Sequence, residues 1–129
     1  MTRTFKTVAV SGYFDPLHVG HIDYLKNARM LGDKLIVILN NDSQRHNRMK
    51  VDNRKIILES IRYVDEVFVS IDNDQTVCDS LEFLAPNIFA KGAVPTESEI
   101  QTCADNEIEV VTNVGQQLYI QDILSEFCR

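Results

Sequence analysis

The stretch "SGYFDPLHVGHIDYL", Ser11–Leu25, decides how the chain is read. Before it, "FKTVAVS" (Phe5–Ser11) is a short β-rich run. The stretch itself passes through a Gly/Pro turn into "HIDYLKNARML", where Ile22, Leu25 and Ala28 or Arg29 recur at helical spacing. Gly32 reads as the C′ stop of that helix. "KLIVILN" (Lys34–Asn40) is a continuous apolar run, the pattern of a strand covered on both faces.

The same alternation continues outward. "NDSQRHNRMKVDN" (Asn41–Asn53) is polar, has no period and predicts a loop. "RKIILESIRYV" (Arg54–Val64) puts Ile57, Ile61 and Val64 on one helical face, and "DEVFVSI" follows as a third strand. "DQTVCDSLEFL" predicts a helix with Asp74 as N-cap. "NIFAKG" is a fourth strand, "TESEIQTCADN" a helix, "IEVVT" a fifth strand and "LYIQDILSEF" a last helix. Five strands interleaved with helices predict one α/β domain over residues 1–129. Its expected architecture is a Rossmann-like, doubly wound, five-stranded parallel sheet with helices on both faces. In such sheets ligands sit beyond the carboxyl ends of the strands, where the strand order reverses. Ser11–Leu25 is the first strand-to-helix turn and lies at that edge.

The chain has 129 residues, 44% hydrophobic and 25% charged, with a formal net charge of −6. That size supports one buried core. An acidic balance disfavours nonspecific nucleic-acid binding, which depends on Lys and Arg neutralising phosphate. No apolar run is long enough to span a bilayer. "MTRTFKTVAVSG" reads as a strand rather than a signal peptide. Cys78, Cys103 and Cys128 are odd in number and widely spaced. They read as reduced thiols of a cytoplasmic protein.

His18 and His21 stand three residues apart at the expected start of a helix. Helix N-termini carry unpaired N–H groups and partial positive charge, which favour an anion. Residues at this spacing share a face. Gly20 keeps the space between them open, Gly12 admits close backbone approach, and Pro16 fixes the turn. Two donors beside an anion suit a phosphorus centre gaining charge, as in phosphoryl or nucleotidyl transfer. By spacing alone the pair also fits a surface coincidence or a weak metal site. As a metal site it lacks a third His or Cys.

"GYFDPLHVGHIDYLKNARMLGDKLIV" resembles the opening of the cytidylyltransferase-like nucleotidyltransferases, whose signature is G-x-F-D-x-x-H-x-G-H followed by a helix ending in "LGD". "RKIILESIRYVDEV" resembles the family's second block, and "NIFAKG" falls where it keeps a strand leading into a nucleotide-binding loop. The resemblance implies a cytidylyltransferase, moving CMP (or, as the alternative, AMP) from the NTP, with Mg²⁺, to a phosphorylated sugar or polyol with release of pyrophosphate, and a homodimer; CTP is favoured over ATP. It assigns phosphate contacts and catalysis to His18 and His21. Gly12, Tyr13, Phe14, Asp15 and Gly20 would line the nucleotide, with Asp15 bracing the turn through backbone N–H groups. Lys91 and Gly92 would join them from the fourth strand. Asp42, Lys50, Arg54 and Arg62 would meet phosphate or substrate, with Arg62 alternatively at a dimer boundary. Two departures stand out. Ala93 and Val94 replace the Asp-containing "GGD" or "GDD" loop. "NVGQQLYIQDIL" (Asn113–Leu124) has Tyr119, Gln121 and Asp122 where relatives keep Ser/Thr. A nucleotide-binding protein with weakened turnover is the rival implication.

Overall fold

The computed structural model describes residues 4–115. Five parallel strands lie in the order β3-β2-β1-β4-β5. They are β1 (Thr7–Gly12), β2 (Lys34–Leu39), β3 (Glu66–Val69), β4 (Ile88–Ala90) and β5 (Glu109–Val111). The helices between them are α1 (Val19–Arg29), α2 (Val51–Glu59), α3 (Cys78–Leu84) and α4 (Glu97–Asp105). The chain winds from β1 to β3 in one direction, then crosses back to place β4 on the other side of β1. The order therefore reverses between β1 and β4, and the crevice lies at their carboxyl ends.

Strand alternation builds two cores. Val8 and Val10 of β1, Leu35, Val37 and Leu39 of β2, and Ile88 and Ala90 of β4 pack on Leu25 and Ala28 of α1 and Leu58 of α2. The intervening Ala9, Ile38 and Phe89 pack on Leu81 of α3 and Cys103 of α4. The period-two alternation thus puts α1 and α2 on one face and α3 and α4 on the other. Emptying any of these fully buried sites by a Leu-to-Ala change costs about 2–5 kcal/mol.

Several boundaries differ from the sequence reading. The loop expected to Asn53 ends at Lys50, because the Asp42 carboxylate accepts the Val51 N–H at 3.0 Å and starts α2 early. On α2 the buried residues are Arg54 and Leu58, while Ile57 is exposed. α3 begins at Cys78. Asp74 is not its cap; it closes a local turn on Thr76 N–H at 2.9 Å. The N-cap residue is Val77, which offers no side-chain bond, and the buried Asp72 carboxylate from the preceding loop accepts Asp79 N–H at 2.7 Å and Ser80 N–H at 3.1 Å in its stead. α1 ends at Met30 in right-handed conformation, so Gly32 is no helix stop. Its role is close approach: a Cβ there would lie 2.7 Å from Val8 Cγ2. Gly115 has φ +77, and a Cβ would sit 2.8 Å from Tyr24 Cα, so only glycine passes α1 at that point. The expected last helix, with Tyr119, Gln121 and Asp122, lies outside the described residues, as does Cys128. Cys78 and Cys103 are free thiols.

Candidate active site

His18 is the N-cap of α1, extended at φ −142 and ψ 177. Its Nδ1 accepts the Gly20 N–H at 3.1 Å. His21, at N3, accepts the His18 N–H on its own Nδ1 at 3.2 Å. The two imidazoles form a reciprocal capping box, the arrangement usually built from Ser or Thr with Glu. Both Nδ1 atoms are acceptors, so both rings carry their proton on Nε2. The rings stack with centroids 3.8 Å apart. Burial lowers the His18 pKa from its ordinary value. Burial, and then the neighbouring His18, push His21 down to about 4. Near neutral pH the helix start therefore presents two neutral Nε2–H donors beside its own unpaired N–H groups. No acidic residue occupies the first turn of α1 to oppose an anion.

The turn before the helix is built to hold this pair. Phe14 takes φ 51 and is buried. Its ring lies edge-on to His21 at 5.0 Å. A Cβ on Gly12 would come within 3.0 Å of the same ring. The Phe14 ring thus fills the space a Cβ at Gly12 would need and props His21, while Gly12 itself lines the crevice. The Asp15 carboxylate accepts the N–H groups of Arg48 at 2.6 Å and Met49 at 3.3 Å. It braces the loop after β2 rather than its own turn. Gly20 is buried in the first turn of α1.

Arg54 does not face the crevice. Its side chain has 0% exposure and pairs with Asp42 at 2.8 Å. Nε donates to Met49 O at 2.9 Å, and Nη1 donates to Tyr13 O at 2.8 Å and Asn40 O at 2.9 Å. It gathers the ends of β1 and β2 and the following loop, so the phosphate role expected for it is corrected to a structural one. Asp42 is its partner and the start of α2. The Val51 N–H, then Arg54, hold its carboxyl below the usual carboxylate range. Arg62 follows α2 at the opposite, amino-terminal edge of the sheet, with Nη2 on Tyr63 Oη at 3.0 Å. It stands apart from the histidines of its own chain. Lys50 is exposed at the N-cap of α2.

Lys91, just past β4, does reach the crevice. Its Nζ donates to Ser11 Oγ at 3.1 Å. Burial lowers its pKa, with the Glu99 charge acting in the opposite direction. Gly92 follows it. Beside Lys91 lies a cavity of about 270 Å³ whose walls include Tyr13, Asn40, Gln75, Thr96 and Glu99.

The sequence reading missed four of the residues that shape this edge. Arg45 lies over the Tyr13 ring at 3.6 Å. Gln75 accepts the Tyr13 hydroxyl at 3.0 Å. Gln44, buried, pins the two loops together by donating to Asp74 O and Thr76 O, each at 2.8 Å. Glu99, buried, accepts Val77 N–H at 3.1 Å and Thr96 N–H at 3.0 Å. One signal was available: "QRHNRMK" (residues 44–50) is a basic run in an acidic chain. Among the described residues no three His, Cys, Asp or Glu side chains gather as metal ligands, and no helix is long and apolar enough to cross a membrane.

The bifunctional protein HldE of Citrobacter koseri (strain ATCC BAA-895 / CDC 4225-83 / SGSC4696) is 38% identical over 126 residues, 92% of this chain and 25% of HldE. The FAD synthase of Pyrococcus abyssi (strain GE5 / Orsay) is 40% identical over 91 residues, 66% of this chain and 61% of the synthase. The chain thus spans a quarter of one relative and about three fifths of the other. The crystal structure of the lipopolysaccharide core biosynthesis protein from Thermoplasma volcanium GSS1 superposes with a TM-score of 0.75. It has 23% identity and covers 88% of this chain and 100% of its own, a likeness of fold. A profile described as Cytidylyltransferase-like matches residues 9–125, nearly the whole chain, and the chain belongs to that family.

Proposed function

We propose that the protein is a nucleotidyltransferase that moves a nucleoside monophosphate from Mg²⁺-bound NTP to a phosphorylated small molecule. The observation that carries this is the histidine capping box. It fixes both Nε2–H groups as neutral donors at a helix N-terminus, and Lys91, bonded to Ser11 at the end of β1, stands at the same carboxyl edge of the sheet. In the reaction an acceptor phosphate oxygen, already anionic, attacks the α-phosphorus. A new P–O bond forms, the α–β bridge breaks, and pyrophosphate leaves with its negative charge. No proton transfer and no covalent enzyme intermediate is needed. The developing charge falls on the oxygens that His18, His21 and Lys91 face, so their donors bind the transition state more tightly than the substrate. Mg²⁺ enters as part of the NTP.

Between the two nucleotides, ATP is favoured over CTP. The 40% identical relative is an FAD synthase, and FAD carries an adenylyl group. Lys50 at the rim is offered to the substrate phosphates. We place the protein in the cytoplasm as a homodimer pairing through α2, where Ile56 is 61% exposed and Arg62 lies nearby. The deciding experiment is a screen of pyrophosphate release with the four NTPs, with and without Mg²⁺, against a panel of sugar phosphates, polyol phosphates and FMN. Mg²⁺-dependent release with ATP and one acceptor is expected. If no NTP binds at millimolar concentration, the proposal fails.

A further inference from the structure

Lys91 is a part-buried cation whose near neighbours are mostly neutral. Its Nζ donates to Ser11 Oγ at 3.1 Å, at the end of β1. The Phe89 ring of β4 has its centroid 5.9 Å from Nζ. Tyr24 of α1 donates its hydroxyl to Ala90 O, the residue before Lys91. Burial raises the Tyr24 pKa, and it pushes the Cys103 thiol of α4 up to about 11. Both stay neutral through mildly alkaline pH, as do His18 and His21 of α1. An ammonium in such surroundings loses hydration and gives up its proton more readily than in water. Among the described residues, the charge that opposes this at Lys91 is that of Glu99.

The fold fixes Glu99 in place. It is buried at N3 of α4, where Oε1 accepts the Thr96 N–H at 3.0 Å and Oε2 accepts the Val77 N–H at 3.1 Å. The first bond is half of a capping box with Thr96, which needs no burial. The second ties the same carboxylate to the start of α3, across the crevice wall that Glu99 shares with Lys91 and Ser11. Both oxygens are thus engaged by backbone donors, and the carboxylate acts on Lys91 through its charge. A contact ion pair would occupy the ammonium's donors. A carboxylate held at a remove favours the charged form and leaves those N–H groups for Ser11 and a ligand oxygen.

We infer that Glu99 is a positioning residue of the transfer site: its fixed, buried carboxylate is the counter-charge that keeps Lys91 protonated at the end of β1. For its effect on turnover the inference rests on the nucleotidyltransferase reading above, and it adds the residue that sets the alkaline limit of that site. Without the Glu99 charge the ammonium loses its proton at lower pH, so transfer fails from the alkaline end.

The test follows the lysine Cε signals of the full chain by carbon NMR across neutral and alkaline pH, with Lys91 assigned by its loss in Lys91→Met. Pyrophosphate release from Mg·ATP with the best acceptor is measured over the same range. Glu99→Gln keeps the shape and one acceptor oxygen but loses the charge. Glu99→Asp keeps the charge but is one methylene too short to hold both backbone bonds. Glu99→Gln is expected to lower the Lys91 midpoint by about one pH unit or more, the scale of removing a nearby opposite charge, and to move the alkaline limb of kcat with it. Glu99→Asp, though less stable in urea, should hold both close to wild type. A Lys91 midpoint unmoved in Glu99→Gln overturns the inference, as does one lowered equally in Glu99→Asp. A second measurement changes nothing at Glu99. In the wild type its Cδ signal should step at the Lys91 midpoint, and the step should vanish in Lys91→Met. A Cδ signal without that step overturns the inference even if Glu99→Gln fails to fold. If no form turns over Mg·ATP with any acceptor, the nucleotidyltransferase reading has failed, and the two NMR titrations still decide whether Glu99 holds the Lys91 charge.

Discussion

Replacing Arg54 by Met separates its two candidate roles, anchor and phosphate ligand. The guanidinium donates four hydrogen bonds, three to backbone carbonyls and one to Asp42, from a side chain with 0% exposure. Met preserves most of the volume and removes every donor. The Asn40 carbonyl, bonded in a buried setting, is left without this partner, at about 1–3 kcal/mol. The Tyr13 and Met49 carbonyls and Asp42 are part-exposed and regain water, so they add less. The total comes to roughly 2–4 kcal/mol, the scale of breaking a buried hydrogen-bond network. For a domain of this length that lowers Tm by about 8–15 °C. Urea unfolding measures the loss directly, as a lower midpoint at nearly unchanged slope. Arg54→Lys keeps the charge and the Asp42 contact but cannot span three carbonyls, so its loss is intermediate. If Arg54→Met keeps the wild-type urea midpoint while Mg·ATP affinity collapses, the anchor argument is wrong and Arg54 is a ligand residue.

Three further outcomes are expected. His21 titrates near 4 by proton NMR, with nitrogen shifts reporting the Nε2–H tautomer. Because its folded pKa lies below the unfolded value of about 6.5, its contribution to stability is present above pH 6.5 and is lost as pH falls toward 4. An ordinary midpoint near 6.5 contradicts the capping-box assignment. Lys91→Met lowers kcat by about 10²-fold, the scale of losing one dedicated donor, with the urea midpoint little changed; an unaltered kcat removes Lys91 from the site. Sedimentation at high micromolar concentration shows a dimer that Ile56→Glu dissociates, and a monomeric wild type refutes pairing through α2.

The sheet was readable because its strands are continuous apolar runs and its first turn carries Gly, Pro and two histidines in fixed register. The positions of His18, His21 and Lys91 were readable for the same reason, each at the end of an element set by the pattern, while the role of Lys91 came only from the family resemblance. Arg54 was not. An arginine at the start of a helix looks the same in sequence whether it faces phosphate or three carbonyls, and only the convergence of β1, β2 and the loop at Met49 distinguishes them. Asp72 was missed as the acceptor at the start of α3 because it reaches there from seven residues before Asp79, outside the usual N-cap spacing. The packing of the Phe14 ring against Gly12 was hidden because the Phe14 backbone takes a positive φ, which the sequence does not announce. Glu99 comes from the start of α4 and Gln75 from just before α3, distant in sequence, and they meet on one face of the sheet.

The proposed catalysis depends on the two Nε2–H donors, and a pair of substitutions isolates them. His18→Asn keeps a good N-cap and His21→Gln keeps the N3 half of the capping box, so α1 retains its start while each variant loses one imidazole donor. Pyrophosphate release from Mg·ATP, with the best acceptor from the screen, is compared with the wild type alongside Mg·ATP affinity by calorimetry. Each variant should lose about 10²-fold or more in kcat with ATP affinity changed only severalfold. Turnover within a few-fold of wild type in both would contradict the claim that these histidines stabilise the transferring phosphorus.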